Sequence, residues 1–169
     1  MNIKRVFVPV LFGFLLSACG GGPDASYSAV EPGAGTVCSL DGMRLADYPG
    51  PKAQIHYTTG APDFFCDTIE LFSVHLRSEQ GRRIQAMYVQ DMGAADWKHP
   101  QGHWIDARTA FYIVGSDQHG SMGPTIASFA DQAQADAFAK QHGGKLYRFE
   151  QITPDMVSLD GGVLNDEHS

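Results

Sequence analysis

Two stretches of this 169-residue chain open in the same way: Phe65-Cys66-Asp67-Thr68-Ile69-Glu70 and Phe129-Ala130-Asp131-Gln132-Ala133-Gln134. Each places an aspartate where a helix N-cap is expected and a glutamate or glutamine at the third helical position, a combination typical of a helix start. Apolar residues then recur at helical spacing in both stretches, at Ile69, Phe72 and Leu76 and at Ala133, Ala137 and Phe138. We therefore predict two helices that begin alike, the second ending at Gly143-Gly144.

Extended segments surround both predicted helices. A strand is predicted after each helix, over 84–90 and 145–149. Two extended pieces are predicted before each helix: 54–58 with a shorter piece near 43–45, and 110–115 with 125–127. The order strand, strand, helix, strand thus occurs twice, which predicts an α+β fold of two related ββαβ half-domains. Halves of about 60 residues would be only marginally stable alone, so they should pack together.

The first nineteen residues have the pattern of a bacterial export signal. Lys4 and Arg5 precede an apolar run over 6–16, which is too short to cross a bilayer core of about 30 Å as a helix. Leu16-Ser17-Ala18-Cys19 follows and resembles a lipobox, which implies cleavage before Cys19 and lipidation of its thiol. Gly20, rather than an aspartate, follows the cysteine. This pattern points to a lipoprotein of the outer membrane.

The rest of the chain divides into a linker, a folded region and a tail. Residues 19–35 are rich in Gly, Pro and Ala, which predicts a lipidated anchor and a flexible linker. Residues 36–159 are expected to form one domain, with halves at about 36–92 and 104–150, and 160–169 a mobile tail. The net charge of -7 and the pI of about 5.3 argue against a nucleic-acid binder.

Sulfur and imidazole groups occur in two loops rich in glycine and proline. Cys38 and Met43 lie in the segment Cys38-Ser39-Leu40-Asp41-Gly42-Met43, and His119 and Met122 lie in His119-Gly120-Ser121-Met122-Gly123-Pro124. Thiolate and thioether are soft ligands that select Cu(I), and imidazole also suits copper. Methionine also fills irregular gaps under loops, so residue chemistry alone leaves both roles open for Met43 and Met122.

Cys66, beside the first predicted helix start, has several interpretations. It is expected to be a small buried residue, while a disulfide with Cys38 in an oxidising compartment and a reactive thiol at a helix N-terminus are the alternatives. The chain has no Gly-rich phosphate loop, no Gly-x-Ser-x-Gly elbow and no His-Glu-x-x-His. The sequence therefore predicts a protein that is not an enzyme.

A set of motifs between Cys38 and Phe149 resembles one known family. The motifs are Cys38-Ser-Leu-Asp-Gly-Met43, Ala46-Asp-Tyr-Pro-Gly-Pro-Lys-Ala-Gln54, Phe64-Phe-Cys-Asp67, Trp104-Ile-Asp-Ala107, Ser121-Met-Gly-Pro124 and the helix ending in Gly143-Gly144. They are similar to those of the NosL family, the accessory lipoproteins of nitrous oxide reductase. The resemblance implies two related ββαβ units and a periplasmic protein that binds Cu(I) and delivers it for maturation of that reductase.

The resemblance also implies ligands and partners. By motif position the copper ligands fall on Cys38, Met43 and Met122, and His119 is added because it is close to Met122 in sequence. Many members have a second cysteine where this chain has Asp41, which favours a mixed site with Met122. The expected partners are the periplasmic protein of the associated membrane transporter, the transporter and the reductase itself. The alternative is an exported binding domain with a structural Cys38–Cys66 disulfide and no metal.

Overall fold

The computed structural model describes residues 27–77 and 81–157 and contains two helices and nine strands in that part of the chain. In chain order the elements are β1 (Ala53–Tyr57), β2 (Asp63–Phe65), α1 (Thr68–His75), β3 (Ile84–Gln90), β4 (Trp104–Asp106), β5 (Phe111–Ser116), β6 (His119–Gly120), β7 (Gly123–Pro124), β8 (Ala127–Phe129), α2 (Gln132–His142) and β9 (Gly143–Arg148). No helix in these ranges is long and apolar enough to cross a membrane.

The two halves have the same topology. The first sheet has the order β2-β1-β3-β4 and the second has the order β8-β5-β9. In each half the first strand lies in the middle, pairs antiparallel with the second strand, and pairs antiparallel on its other side with the strand that follows the helix. The predicted α+β fold with two related ββαβ units is therefore confirmed. A third, two-stranded ladder joins β6 and β7 into a short hairpin.

Two strands of the first sheet differ from the prediction. The piece predicted near 43–45 forms only an isolated bridge from Arg44 to Val37, followed by a 3-10 turn over Leu45–Asp47, and β2 takes its place in the sheet. β4, which the predicted division assigns to the second half, pairs with β3 instead. Strands of three residues show no readable period in the sequence, so neither could be assigned from the pattern.

Both predicted helix caps are present. The Asp67 side chain accepts from the Ile69 amide at 3.0 Å, and the Asp131 side chain accepts from the Gln134 amide at 3.1 Å. Gly143 ends α2 with a φ of 75°, a left-handed value that glycine adopts without steric cost. The helices differ in burial: α1 buries Thr68, Glu70, Leu71 and Phe72, whereas α2 buries only Ala135.

The segment over 27–36, which we call the N-terminal strap, is bound to the first sheet. Val30 exchanges two hydrogen bonds with the side chain of the buried Gln54, at 2.9 and 3.0 Å. The Glu31 carboxylate accepts from the Gly102 amide at 3.1 Å and from the Trp104 indole at 2.7 Å. The expectation of a free linker is therefore wrong for residues 27–35. Side-chain partners far along the chain fix the strap, and composition does not reveal them.

The main hydrophobic core joins the two halves. Phe72 of α1 is fully buried and meets the Tyr112 ring of β5 edge-on, with centroids 5.0 Å apart. Thr68 donates from its hydroxyl to the Ile126 carbonyl at 2.5 Å, across the same boundary. Cys38 and Cys66 both belong to this core. The predicted signal peptide, the lipidated Cys19 and the tail over 160–169 lie outside the described residues.

Candidate metal-binding site

Two cysteines and two acidic residues form one cluster where the chain leaves the strap and meets the start of α1. The sulfur atoms of Cys38 and Cys66 and one carboxylate oxygen each of Asp41 and Glu70 all lie within 4.8 Å of one another. Cys38, Cys66 and Glu70 are buried, and Asp41 is exposed. Both cysteines are free thiols. Three members of the cluster are thus enclosed in the core, and Asp41 lies at the surface.

A tight loop over 38–43 places the first cysteine. The Cys38 amide donates to the Met43 carbonyl at 2.7 Å, and the Gly42 amide donates to the Cys38 carbonyl at 3.0 Å. Gly42 has a φ of 79°, which explains the glycine before Met43. The Cys66 thiol approaches the same Met43 carbonyl at 3.8 Å. One backbone oxygen therefore contacts both cysteines and holds the loop against the start of α1.

A buried lysine supports the second cysteine. Lys52 is only 3% exposed, and its ammonium donates to the carbonyls of Tyr48, Pro49 and Cys66 at 2.8, 2.9 and 3.1 Å. Burial lowers the pKa of Lys52 to about 8, and attraction to Cys66, Asp67 and Glu70 opposes that shift. The lysine therefore fixes the Cys66 backbone and places a positive charge behind a cluster of acidic groups.

Electrostatics single out Cys38 as the thiolate of the cluster. A hydrogen bond from the Cys66 thiol lowers the pKa of Cys38 to about 6, against the cost of burial. The same contact and burial raise the pKa of Cys66. Burial, and then the contact with Cys38, raise the pKa of Glu70 to about 9. Near neutral pH these shifts favour a thiolate at Cys38 beside a protonated Cys66 and a protonated Glu70. The alternative in which the helix N-terminus activates the Cys66 thiol is therefore not favoured, because the pKa of Cys66 is raised.

Glu70 shows how the cluster shares its protons. Glu70 Oε2 lies 3.2 Å from Cys38 Sγ, within hydrogen-bond distance, and the Leu40 amide donates to Cys38 Sγ at 3.3 Å. Glu70 Oε1 is buried without a hydrogen-bond partner. A neutral carboxyl tolerates such a position far better than a carboxylate does. The geometry thus agrees with a protonated Glu70 beside a Cys38 thiolate.

Met122 lies at the tip of the hairpin formed by β6 and β7, and its side chain is 51% exposed. The Ser121 amide donates to Asp67 Oδ2 at 3.3 Å, and the Thr125 hydroxyl donates to Asp67 Oδ1 at 2.5 Å. Asp67 directly follows Cys66. The structure therefore brings the Met122 hairpin from the second half of the chain to the helix end that carries the cysteine cluster.

The other predicted site residues have different places. Met43 is half-buried and packs against the main core, and its carbonyl binds the cysteines. His119 is exposed at the base of the Met122 hairpin, where its carbonyl accepts from the Trp97 indole at 3.1 Å. Among the described residues, the cluster of possible metal-binding groups does not include His119. The structure thus brings the Met43 carbonyl to Cys38 and Cys66 and the Met122 hairpin to Asp67, the residue after Cys66.

Sequence reasoning missed several groups of the cluster. Cys66 was expected to be buried, which is confirmed, and its contact with Cys38 was considered only as a disulfide, whereas both thiols are free. Glu70 was expected to complete a helix cap, but its carboxyl contacts Cys38 instead. Lys52 gave no signal beyond its place in the Pro49-Gly50-Pro51-Lys52 segment, because burial of a lysine depends on distant carbonyls. These contacts join residues 32 positions apart for Cys38 and Glu70, and no local pattern encodes them.

A soft cation fits this arrangement better than a hard one. The two sulfur atoms of the cluster are ligands that suit Cu(I), and the hairpin bound to Asp67 carries an exposed thioether at Met122. Hard cations such as Mg²⁺ and Ca²⁺ prefer oxygen ligands, carboxylates among them, but two of the four groups here are thiols and burial raises the pKa of the Glu70 carboxyl to about 9. The donor set therefore favours Cu(I) over alkaline-earth ions.

Comparisons with known proteins agree with this chemistry. Residues 29–157 match the family model described as NosL. The copper-binding lipoprotein NosL of Stutzerimonas stutzeri is 40% identical over 165 residues, which cover 93% of this chain and 86% of the relative. The protein of the same name from Achromobacter cycloclastes is 38% identical over 148 residues, covering 85% of this chain and 77% of the relative.

A solved structure has the same fold. The crystal structure of the copper chaperone NosL from Shewanella denitrificans superposes with a TM-score of 0.73 at 41% sequence identity. The match covers 76% of this chain and 97% of that chain. The family model covers residues 29–157, and both the sequence and the fold match those of relatives. The chain therefore belongs to the NosL family.

Proposed function

We propose that this protein is a periplasmic, lipid-anchored carrier of Cu(I) that delivers the ion for maturation of nitrous oxide reductase and catalyses no reaction itself. The observation that carries the proposal is the pair of buried, free cysteines Cys38 and Cys66, whose sulfur atoms lie within 4.8 Å of each other in a chain of the NosL family. The family's relatives are named as copper-binding lipoproteins and a copper chaperone. Copper is thus the cargo of the protein and not a cofactor.

Cys38 is the proposed principal ligand, because its pKa of about 6 makes it a thiolate at neutral pH. Cys66 is proposed to supply a second thiol to the site, which has Asp41 where many family members have a cysteine. Met43 and Met122 are proposed to add thioether sulfur, and His119 is a further candidate from the same hairpin. Cu(I) accepts two or three such soft ligands.

Release of the ion follows from the position of the ligands. Methionine is a neutral ligand and Met122 is half-exposed, so an incoming protein can replace the thioether first while the buried thiolate retains the ion. The ion then passes on by exchange of one ligand at a time, without a change of oxidation state. The proposed receivers are the periplasmic protein of the associated membrane transporter and the reductase, and the proposed location is the outer membrane through Cys19.

The test is a Cu(I) titration of the protein without oxygen, against a chromogenic Cu(I) chelator. We expect Cys38→Ser to lower the affinity more than about a hundredfold, since loss of a supporting residue alone typically costs 10- to 100-fold. Met122→Ala should lower it about tenfold. Met92→Ala is the matched control for Met122→Ala, because Met92 packs against the second core. An unchanged affinity in Cys38→Ser would contradict the proposal.

A thiol count separates this proposal from the alternative without metal. Protein kept from air and then denatured should show two reactive thiols from Cys38 and Cys66, whereas a structural disulfide gives none. The affinity should also be nearly constant above pH 6 and fall about tenfold per pH unit below it, because the ligand must be deprotonated. His119→Ala, compared with His99→Ala, shows whether the imidazole takes part.

A further inference from the structure

The Met122 hairpin has little internal support. Its ladder consists of two residue pairs, His119 with Pro124 and Gly120 with Gly123. An isolated two-stranded hairpin is marginal in water even when it is longer, and Met122 at its tip is half-exposed. Something outside the hairpin must therefore hold it where it is.

The Trp97 indole binds the His119 carbonyl at the base of the hairpin, and the Asp67 carboxylate holds the hairpin on both sides of its tip. Asp67 is 3% exposed, and its two oxygens accept three hydrogen bonds. Oδ1 accepts from the Ile69 amide of α1 at 3.0 Å and from the Thr125 hydroxyl at 2.5 Å, and Oδ2 accepts from the Ser121 amide at 3.3 Å. One side chain therefore caps the helix that follows Cys66 and binds both sides of the Met122 tip.

The backbone of the hairpin packs directly against this carboxylate. A Cβ atom added to Gly120 would collide with Asp67 Oδ2 and come within 2.9 Å of Thr125 Cβ. A Cβ atom added to Gly50 would come within 2.9 Å of Gly120 Cα, and Gly50 has a φ of 77°. Both glycines are thus required for the hairpin to reach Asp67, so the contact depends on the residue type at two positions of the backbone.

The equivalent residue of the second half has no such role. Asp131 caps α2 through a single bond from the Gln134 amide and is exposed. The two aspartates occupy the same position of the repeated unit, so capping alone does not require burial or extra donors. The additional bonds of Asp67 belong to the half that carries the cysteine cluster.

We infer that Asp67 is a positioning residue of the copper site, which holds the Met122 thioether beside the cysteine pair by binding Ser121 and Thr125 on either side of it. The inference rests on the proposed function and deepens it. It predicts that Met122 contributes to copper binding only while the hairpin is attached to Asp67.

A double-mutant cycle on the Cu(I) affinity tests this inference. Thr125→Val keeps the side-chain shape but removes the hydroxyl that Asp67 accepts. We expect it to lower the affinity about tenfold, as Met122→Ala does, in the range typical of residues that orient a metal ligand. The double variant should bind no more weakly than Met122→Ala alone, because positioning has no effect once the thioether is gone. Thr125→Ser, which restores the hydroxyl, should bind like the wild type.

A matched control separates positioning from general stability. Ser128 donates from its buried hydroxyl to the Gln90 carbonyl at 2.6 Å and also joins the second sheet to the first. Ser128→Ala should lower the unfolding temperature about as much as Thr125→Val does, but leave the affinity unchanged. X-ray absorption of the copper-loaded proteins should show one sulfur neighbour fewer in Thr125→Val and no change in Ser128→Ala.

Several outcomes overturn the inference, and they differ from failure of the proposed function. If Met122→Ala weakens binding but Thr125→Val does not, or if the two effects add, Asp67 does not position the thioether. An unchanged sulfur count in Thr125→Val has the same meaning. If Cys38→Ser binds Cu(I) normally, the proposed function itself is wrong. If Cys38→Ser lowers the Cu(I) affinity but Met122→Ala does not, copper binding at Cys38 is supported and the positioning role of Asp67 is wrong.

Discussion

The two helix starts of this protein share a pattern but differ in their surroundings. At the start of α1, Asp67 and Glu70 are almost completely buried, at 3% and 0% exposure. At the start of α2, the corresponding Asp131 and Gln134 are both exposed. Asp67 accepts three hydrogen bonds where Asp131 accepts one, and Glu70 contacts a cysteine.

The difference shows how a repeated unit acquires a site. A helix cap is satisfied by one acceptor, as at Asp131, so the same aspartate in the other half has lone pairs free for different donors. At the start of α1, Asp67 and Glu70 are instead buried, and Asp67 binds Ser121 and Thr125 of the second half. The start of α2 has the same local structure, but its capping residues are exposed.

The largest difference between the halves should appear when an aromatic side chain is removed from each helix. Phe72 is fully buried against the rings of Tyr112 and Phe149, so Phe72→Ala should lower the free energy of unfolding by about 3–5 kcal/mol. Phe138 of α2 is only half-buried, and Phe138→Ala should cost roughly 2 kcal/mol. Urea unfolding measures both, and equal losses would show that the two helices are packed alike.

Removing the two capping side chains should give a smaller but still unequal pair of effects. Asp67→Ala loses a cap and leaves the buried Thr125 hydroxyl without its acceptor, which should cost about 2–4 kcal/mol. Asp131→Ala loses only a cap, worth about 1 kcal/mol. Thermal unfolding of the two variants checks this, and a loss in Asp131→Ala as large as in Asp67→Ala would remove the distinction between the caps.

A pH series should separate the two residues at the third helical position. Burial raises the pKa of Glu70 to about 9, whereas a glutamate of the unfolded chain has a pKa of about 4.3. The stability that Glu70 contributes is therefore complete below about pH 4 and is lost as the pH rises toward 9.

Glu70→Gln should thus gain free energy of unfolding relative to the wild type as the pH rises from 5 to 9. Gln134→Glu, which adds an exposed acid at the equivalent position, should show no such gain relative to the wild type in this range. Parallel stability curves for the wild type and Glu70→Gln would mean that Glu70 is ionised in the folded protein at neutral pH.

The smallest expected effect tests the comparison most finely. Asparagine caps helices as well as aspartate does, so Asp131→Asn should change the free energy of unfolding by less than about 0.5 kcal/mol. Asp67→Asn keeps the cap but turns an amide NH₂ toward Ser121 or Thr125, both of which donate, so it should cost more. Thermal unfolding at low salt is the measurement, and an equally small change in both variants would mean that the extra bonds of Asp67 contribute little.

Much of the fold could be predicted from local patterns, and the site only in part. Helix caps, the strand over 84–90 and the glycine stop of α2 depend on neighbouring residues, so the sequence shows them directly. Cys38 and the Met122 segment were recognised as candidates from residue chemistry and motifs. The contacts of Cys38 with Cys66 and Glu70 depend on pairing across the first half, which no spacing predicts.

The N-terminal strap has a consequence for the direction in which the protein presents its cluster. The Tyr27 hydroxyl donates to the Thr58 carbonyl at 3.5 Å, at the end of β1. Val30 binds the Gln54 side chain near the start of β1. The strap therefore runs against the direction of β1 and reaches Cys38 near Ala53, which pairs with Phe65. Tyr27 and the cysteine cluster therefore lie toward opposite ends of β1, so the protein presents its cluster at the end of that strand remote from the point where the chain enters the strap.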